Sequence, residues 1–189
     1  MPIESSWTTI GPFFHAVLPW KDGGKMARPE TKGERIIISG RVLDAEGKAI
    51  DDAMIELWQA NAAGRYDHPE DQGPGELDPS FQGFGRVAAD AQGCFTVETI
   101  RPGRVRGLGN SLQAPHIEVS VFARGVLKRL VTRLYFTGDP ANDQDPVLTL
   151  IEDAGRRSSI MAREDPDKPG RWLFTLNLGG PNETVFFDV

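Results

Sequence analysis

Strict two-residue alternation is the pattern that most restricts what this chain can become. In His116 to Phe122, Ile117, Val119 and Val121 fall on one face, and His116, Glu118 and Ser120 on the other. That is the pattern of a half-buried strand. Arg129 to Phe136 repeats it: Leu130, Thr132, Leu134 and Phe136 oppose Arg129, Val131, Arg133 and Tyr135. Other β-rich runs lie at Arg35 to Leu43, Met54 to Gln59, Cys94 to Ile100, Trp172 to Leu178 and Thr184 to Val189. Turn signals punctuate them, as in Asp44-Ala45-Glu46-Gly47 and Asp90-Ala91-Gln92-Gly93. Only Asp153 to Ala162 suggests a helix, and a short one. Asp, Pro and Gly crowd Asp67 to Gly85, which predicts a long ordered loop of the kind that usually carries function. Many short strands and little helix predict a mainly β fold: a single-domain β-sandwich over residues 35–189 with long loops.

Residues 1–34 read differently. Gly11-Pro12, Pro19, Gly23-Gly24 and Pro29 break regular structure there. Yet Trp7, Ile10, Phe13, Phe14, Val17, Leu18 and Trp20 form an apolar cluster that a free tail would leave in water. The expectation is an extended N-terminal arm that packs on a partner chain.

A length of 189 residues suits one hydrophobic core rather than two. The net charge of −6 argues against a nucleic-acid partner, which calls for a basic surplus. With Cys94 as its only cysteine, the chain can form no internal disulfide and no cysteine-rich zinc site. A lone thiol fits a reducing compartment. Met1 to Pro12 has no basic stretch followed by an apolar one, so no secretory signal is expected. Runs such as Ile36-Ile37-Ile38 are far too short to span a bilayer. The expectation is a cytoplasmic protein without a membrane partner.

Standard chemical motifs are absent: no GxGxxG between strand and helix, no Walker sequence, no HExxH, no GxSxG. A small polar set remains, Gly64-Arg65-Tyr66-Asp67-His68 and His116-Ile117-Glu118. Side chains at i and i+2 of a strand point the same way, so His116 and Glu118 can reach one ion. With Tyr66 or His68 they would form an iron or zinc site. The competing reading is a polar strand face, exposed or at an interface.

Longer stretches carry a resemblance. Gly40-Arg41-Val42, Ile55 to Asn61, Gly64-Arg65-Tyr66, Leu77-Asp78-Pro79, Gly83 to Arg86, Thr99 to Gly103, Ala114 to Ile117 and Leu134-Tyr135-Phe136 resemble the intradiol ring-cleavage dioxygenases. Within that family the likeness is to members built from two homologous chains. Thr9-Ile10-Gly11-Pro12, Phe122-Ala123-Arg124-Gly125 and Glu183 to Asp188 resemble their α chain.

The resemblance implies a ferric ion held by two tyrosines and two histidines. Carried over one at a time, the first tyrosine falls on Tyr66 and the first histidine on His116. The second tyrosine falls on Val105, which donates nothing, and the second histidine on Glu118. An arginine that the family uses against charge developing on the substrate falls near Gln113, a neutral amide. The four degenerate positions therefore imply that this chain carries no metal and no catalytic residue of its own. The Fe(III) would sit in a homologous β chain of a hetero-oligomer. The complex would cleave an aromatic diol bearing a carboxylate between its hydroxyls, using O₂. Arg133, with Thr9, Gly11 and Pro12, would help bind that substrate. Two rival classes stay open: a stand-alone small-molecule-binding β-sandwich, and a self-sufficient homo-oligomeric enzyme with an altered metal site.

Overall fold

The computed structural model describes residues 11, 14–107, 109 and 111–188. A four-residue helix, α1 (Phe14–Val17), leads into ten strands: β1 (Arg35–Leu43), β2 (Met54–Trp58), β3 (Phe84–Ala88), β4 (Cys94–Ile100), β5 (Val105–Arg106), β6 (Leu112–Gln113), β7 (His116–Phe122), β8 (Leu130–Phe136), β9 (Met161–Glu164) and β10 (Arg171–Asn177), with α2 (Ala154–Ser158) before β9. Eight strands form one sheet in the order β3-β2-β7-β8-β9-β10-β1-β4, while β5 and β6 pair separately. Pairing is antiparallel except at β8–β9 and β10–β1.

The sheet folds over onto its own apolar face. Ile36, Ile38 and Val42 of β1, Ile55 and Leu57 of β2, Val119 and Val121 of β7, Leu134 and Phe136 of β8, and Trp172, Phe174 and Leu176 of β10 meet in a single core. These are alternate residues of their strands, as a two-layer β fold requires. Gly40 of β1 stands in the same packing, because a Cβ there would lie 2.0 Å from the Phe95 ring. The aromatic ring has taken the space a side chain would need. Gly23–Ala27 closes most of the remaining gap. Met26 N donates to Glu98 O and Glu98 N to Gly24 O on β4, and Arg86 N donates to Gly23 O on β3. That part of the arm thus completes the sheet of its own chain.

A parallel pair needs a crossover, and residues 137–160 supply it between β8 and β9. The crossover lies over the outer face of β8, where Tyr135 packs with Ala114, Leu148 and Ile160 in a second apolar cluster. Asp153 caps α2 by accepting from Arg156 N. The helix then ends at Ser158, and Met161–Glu164 is strand β9 rather than the continuation the sequence suggested. Two further expectations are corrected. The expected loop ends two residues short of its predicted end, because Phe84 and Gly85 already pair with β2. Among the described residues of Thr184 to Val189 there is no continuous strand. Phe187 makes one bridge to Val131, and Thr184 Oγ1 caps Asn177 N.

Candidate functional site

Strand register builds the centre of the site. Trp58 of β2 lies opposite Glu118 of β7, and Glu118 lies opposite Arg133 of β8. Two pairs along, on the same face, His116 is opposite Tyr135. All five side chains project from the face away from the main core, so cross-strand pairing alone brings together an acid, an arginine, an imidazole and a phenol.

Loops bring the rest. Asn61 Oδ1 accepts from Ala63 N and Arg65 N and shapes the turn before Tyr66. Gly64 has φ of 73°, and a Cβ there would meet Arg104 O at 2.0 Å, so only glycine fits. Tyr66 leaves this turn stacked on Trp58, with ring centroids 5.9 Å apart and planes 6° from parallel. The β5–β6 hairpin sets Val105 opposite Gln113, and Val105 and Tyr66 line one small cavity of about 120 Å³.

Arg133 is the hub. Its Nε lies 2.8 Å from Glu118 Oε1, and its Nη1 donates to Gln113 Oε1 at 2.6 Å and to Tyr135 Oη at 3.2 Å. Tyr135 donates in turn to Asp145 Oδ1 at 3.2 Å. Asp145 is completely buried and also accepts from Ala114 N, Val147 N and Leu148 N. His116, 3% exposed, has Nδ1 2.8 Å from Ala114 O and Nε2 3.6 Å from Glu118 Oε1. The latter separation is an electrostatic contact rather than a hydrogen bond.

Burial and the Glu118 carboxylate push the Tyr66 phenol up to about 12, against the opposing pull of Arg133. Burial also raises Tyr135. Glu118 feels burial pushing it up, but His116 and the Arg133 guanidinium outweigh that and hold it below the ordinary carboxylate range. Arg133 is held above its usual value, because Glu118 and Tyr135 overcome desolvation.

The sequence-predicted positions Tyr66, Val105, Gln113, His116, Glu118 and Arg133 therefore converge. His68 instead joins Trp58, Tyr66 and Phe84 in the wall of an open groove of about 650 Å³. A second cavity, about 550 Å³, has Glu118 and Arg133 among its lining and Val147, Leu150, Ile151 and Phe187 around them. A further depression, about 950 Å³ over β9, β10 and α2, shares no residue with this site. Gly11 is exposed, and Thr9 and Pro12 lie outside the described residues. Sequence reasoning gave Tyr135 no place in the site and missed Asp145 altogether. The Asp145-Pro146 turn is the only local signal, and it says nothing of a partner on β8.

A ferric ion ligated by two phenolates and two imidazoles does not fit these residues. Val105 presents hydrocarbon, and Glu118, a carboxylate in place of an imidazole, is already paired with Arg133. Among the described residues no group of three or more His, Cys, Asp or Glu can hold a metal ion.

Residues 10–171 match a family described as dioxygenase. This chain belongs to the intradiol dioxygenase family. It is 38% identical to the protocatechuate 3,4-dioxygenase alpha chain of Burkholderia cepacia, over 96% of this chain and 95% of that one. It is 37% identical to the alpha chain of Pseudomonas putida over the full length of both. The Burkholderia cepacia beta chain is 42% identical, but only 75% of it is covered. The dioxygenase domain of a carbohydrate-binding fusion protein from Streptomyces sp. SirexAA-E superposes with a TM-score of 0.65 at 25% identity, over 95% of this chain and 97% of that domain. These relatives are enzymes or their subunits, and non-haem iron is the family's cofactor. No helix among the described residues is long and apolar enough to cross a membrane.

Proposed function

We propose that this chain is the α subunit of a protocatechuate 3,4-dioxygenase, working in the cytoplasm beside a homologous β chain that holds the Fe(III). The complex uses O₂ to open protocatechuate between its two hydroxyls, giving 3-carboxy-cis,cis-muconate. One observation carries the reading: a complete family fold in which Val105 and Glu118 stand where donors are needed, and Glu118 is already neutralised by Arg133. Coverage supports the choice of subunit, since the chain spans 95–100% of its α relatives and 75% of a β relative.

In this reading the chain shapes the substrate pocket and the assembly. The arm, residues 1–34, docks on the β chain through the part that precedes Gly23, since Gly23–Ala27 pairs with its own sheet. Thr9, Gly11 and Pro12 approach the substrate, and Arg133 meets its carboxylate. Three exposed apolar residues of the described arm, Val17, Leu18 and Trp20, are what such docking would cover. The 42% identity to a β chain favours a second reading, a self-sufficient enzyme. Co-expression separates the two. The chain alone should be colourless and iron-free, and the complex with a β-type chain should be coloured and active. A coloured lone chain holding about one iron would sink the first reading. For the pocket role, Arg133→Ala in the complex should raise KM for protocatechuate about tenfold while leaving catechol, which has no carboxylate, unchanged. That is the low end for a charged hydrogen bond, because Glu118 already offsets the guanidinium. Equal losses for both substrates would make Arg133 purely structural.

A further inference from the structure

We propose that Arg86 is the positioning residue of the arm: it fixes the point at which the arm before Leu18 leaves the sheet, so that partner and substrate meet the arm in one orientation. The consequence for the substrate rests on the proposed subunit role, and the hold on the arm does not.

The chain reverses just before it joins the sheet. Gly23 N donates to Trp20 O and Lys25 N to Asp22 O, and Asp22 takes a left-handed φ of 62° at the third position of the first of these turns. After the reversal Gly23 lies flat on β3: its carbonyl accepts from Arg86 N, and a Cβ on it would stand 2.1 Å from Arg86 O. Before the reversal it is the Arg86 side chain that holds the arm. Nη1 donates to Leu18 O at 3.3 Å, and the guanidinium carbon lies 4.9 Å from the centre of the Trp20 ring. The Phe84 ring, 5.5 Å from that of Trp20, supports the same stack. Glu56, opposite Arg86 on β2, aims the guanidinium. Its Oε1 accepts from Nε at 2.8 Å and lies 2.6 Å from Nη2, which leaves Nη1 and the flat face of the fork for the arm. Lysine, a point charge on a flexible stem, cannot meet a carboxylate, a carbonyl and a ring at once. Location gives the hold its consequence. Residues two apart on a strand share a face, so Arg86, Glu56 and Ser120 form the row next to Phe84, Trp58, Glu118 and Arg133, about 7 Å away. The arm therefore departs one row from the Arg133 network.

Two variants test this from opposite sides. Arg86→Lys keeps a cation opposite Glu56 and removes the hold, while Trp20→Ala removes the arm's part in it and leaves the ion pair. Amide exchange is followed on the full-length chain. Amides of residues 14–23 should exchange about tenfold faster in Arg86→Lys, which loses a hydrogen bond and a cation–π contact. They should exchange about threefold faster in Trp20→Ala, which keeps the bond to Leu18 O. Amides of β1 and β10 should exchange as in the wild type. Steady-state kinetics are then measured on the complex with a β-type chain. KM for protocatechuate should rise about three- to tenfold in Arg86→Lys, because an arm that is no longer pre-organised must be ordered when substrate binds. Both kcat and iron content should stay unchanged. Should Arg86→Lys fail to fold, Trp20→Ala carries both measurements. Unchanged arm exchange in a folded variant overturns the proposal. So does acceleration that spreads equally through β1 and β10, which is general damage, or a freed arm with an unaltered KM. A wild-type chain that forms no active complex with a β-type chain would instead defeat the subunit reading, and arm exchange would still decide whether Arg86 holds the arm.

Discussion

Asp145→Asn changes one atom at the point where the crossover is anchored to the site, and its cost follows from the hydrogen bonds. Asp145 is completely buried. Oδ2 accepts from Ala114 N at 2.7 Å, while Oδ1 accepts from Val147 N at 2.8 Å, Leu148 N at 2.9 Å and Tyr135 Oη at 3.2 Å. Asparagine has the same shape. With its oxygen at the crowded position it keeps three bonds, but its amide nitrogen then confronts Ala114 N–H. One charge-assisted bond, worth about 1.5–3 kcal/mol, is lost, and a buried donor is left unpaired at about 1–3 kcal/mol. These figures overlap, so a total near 3 kcal/mol is reasonable. Flipping the amide is no escape, because it would set the nitrogen against three donors in place of one. For a chain of this size about 3 kcal/mol lowers Tm by roughly 6–12 °C. Urea unfolding should show the loss in the midpoint with an unchanged slope. Ala114 also orients His116 through its carbonyl, so KM should worsen alongside stability in the active complex. An Asn variant within about 0.5 kcal/mol of the wild type would refute the claim that Asp145 is an obligatory acceptor.

Three further outcomes follow from the same structure. The chain has two tyrosines, Tyr66 raised to about 12 and Tyr135 raised as well, so the folded protein should show no tyrosinate signal near pH 10. Stability from the neutral phenols is complete below about pH 10 and is lost as pH rises through the folded values. An ultraviolet titration with a step near pH 10 in intact protein would contradict this. Val105→Tyr with Glu118→His supplies the missing ligands on paper but leaves Arg133 facing an imidazole. The double variant should remain colourless with little bound iron, and a deeply coloured, iron-loaded product would show that Arg133 is no obstacle. Gly40→Ala forces a Cβ into the Phe95 ring and should cost about 1–3 kcal/mol by overpacking. An unchanged urea midpoint would mean the ring moves freely.

Alternation made β7 legible to the residue, and β-rich runs bounded by turn signals did the same for β1 and β4, because each buries one face against the core. It failed where pairing is not local. Strand β9 joins β8 in parallel across the whole crossover, and Met161-Ala162 alone read as the end of a helix. Strand β3 is short, holds Gly85 as its second residue and follows a loop dense in Asp and Pro. At the site the same division holds. His116 and Glu118 were legible as neighbours because i and i+2 share a face. Arg133 was legible as facing away from the core. That Arg133 lies directly opposite Glu118 depends on register, which neither strand encodes by itself. Tyr135 and Asp145 meet only because the crossover folds back over β8, a tertiary fact with no local trace.

Register also bears on why, in the proposed reading, a chain that leaves the iron to its partner would keep this site. The resemblance puts an arginine near position 113 and asks it to face the substrate. Here residue 113 is an amide that accepts from Arg133 on another strand. One positive charge is therefore retained, but its Nε and Nη1 are satisfied by protein oxygens before any ligand arrives. Such a network holds β7, β8, the β5–β6 hairpin and the crossover in fixed relation. Removing a single member leaves the others charged or unpaired in a largely buried place, which is costly. Under the proposed subunit role, that cost explains why the network would persist. It also means that any reagent-facing role for Arg133 must use what Glu118, Gln113 and Tyr135 leave over. For that reason the contrast between protocatechuate and catechol kinetics is more informative about this subunit than the size of either loss alone.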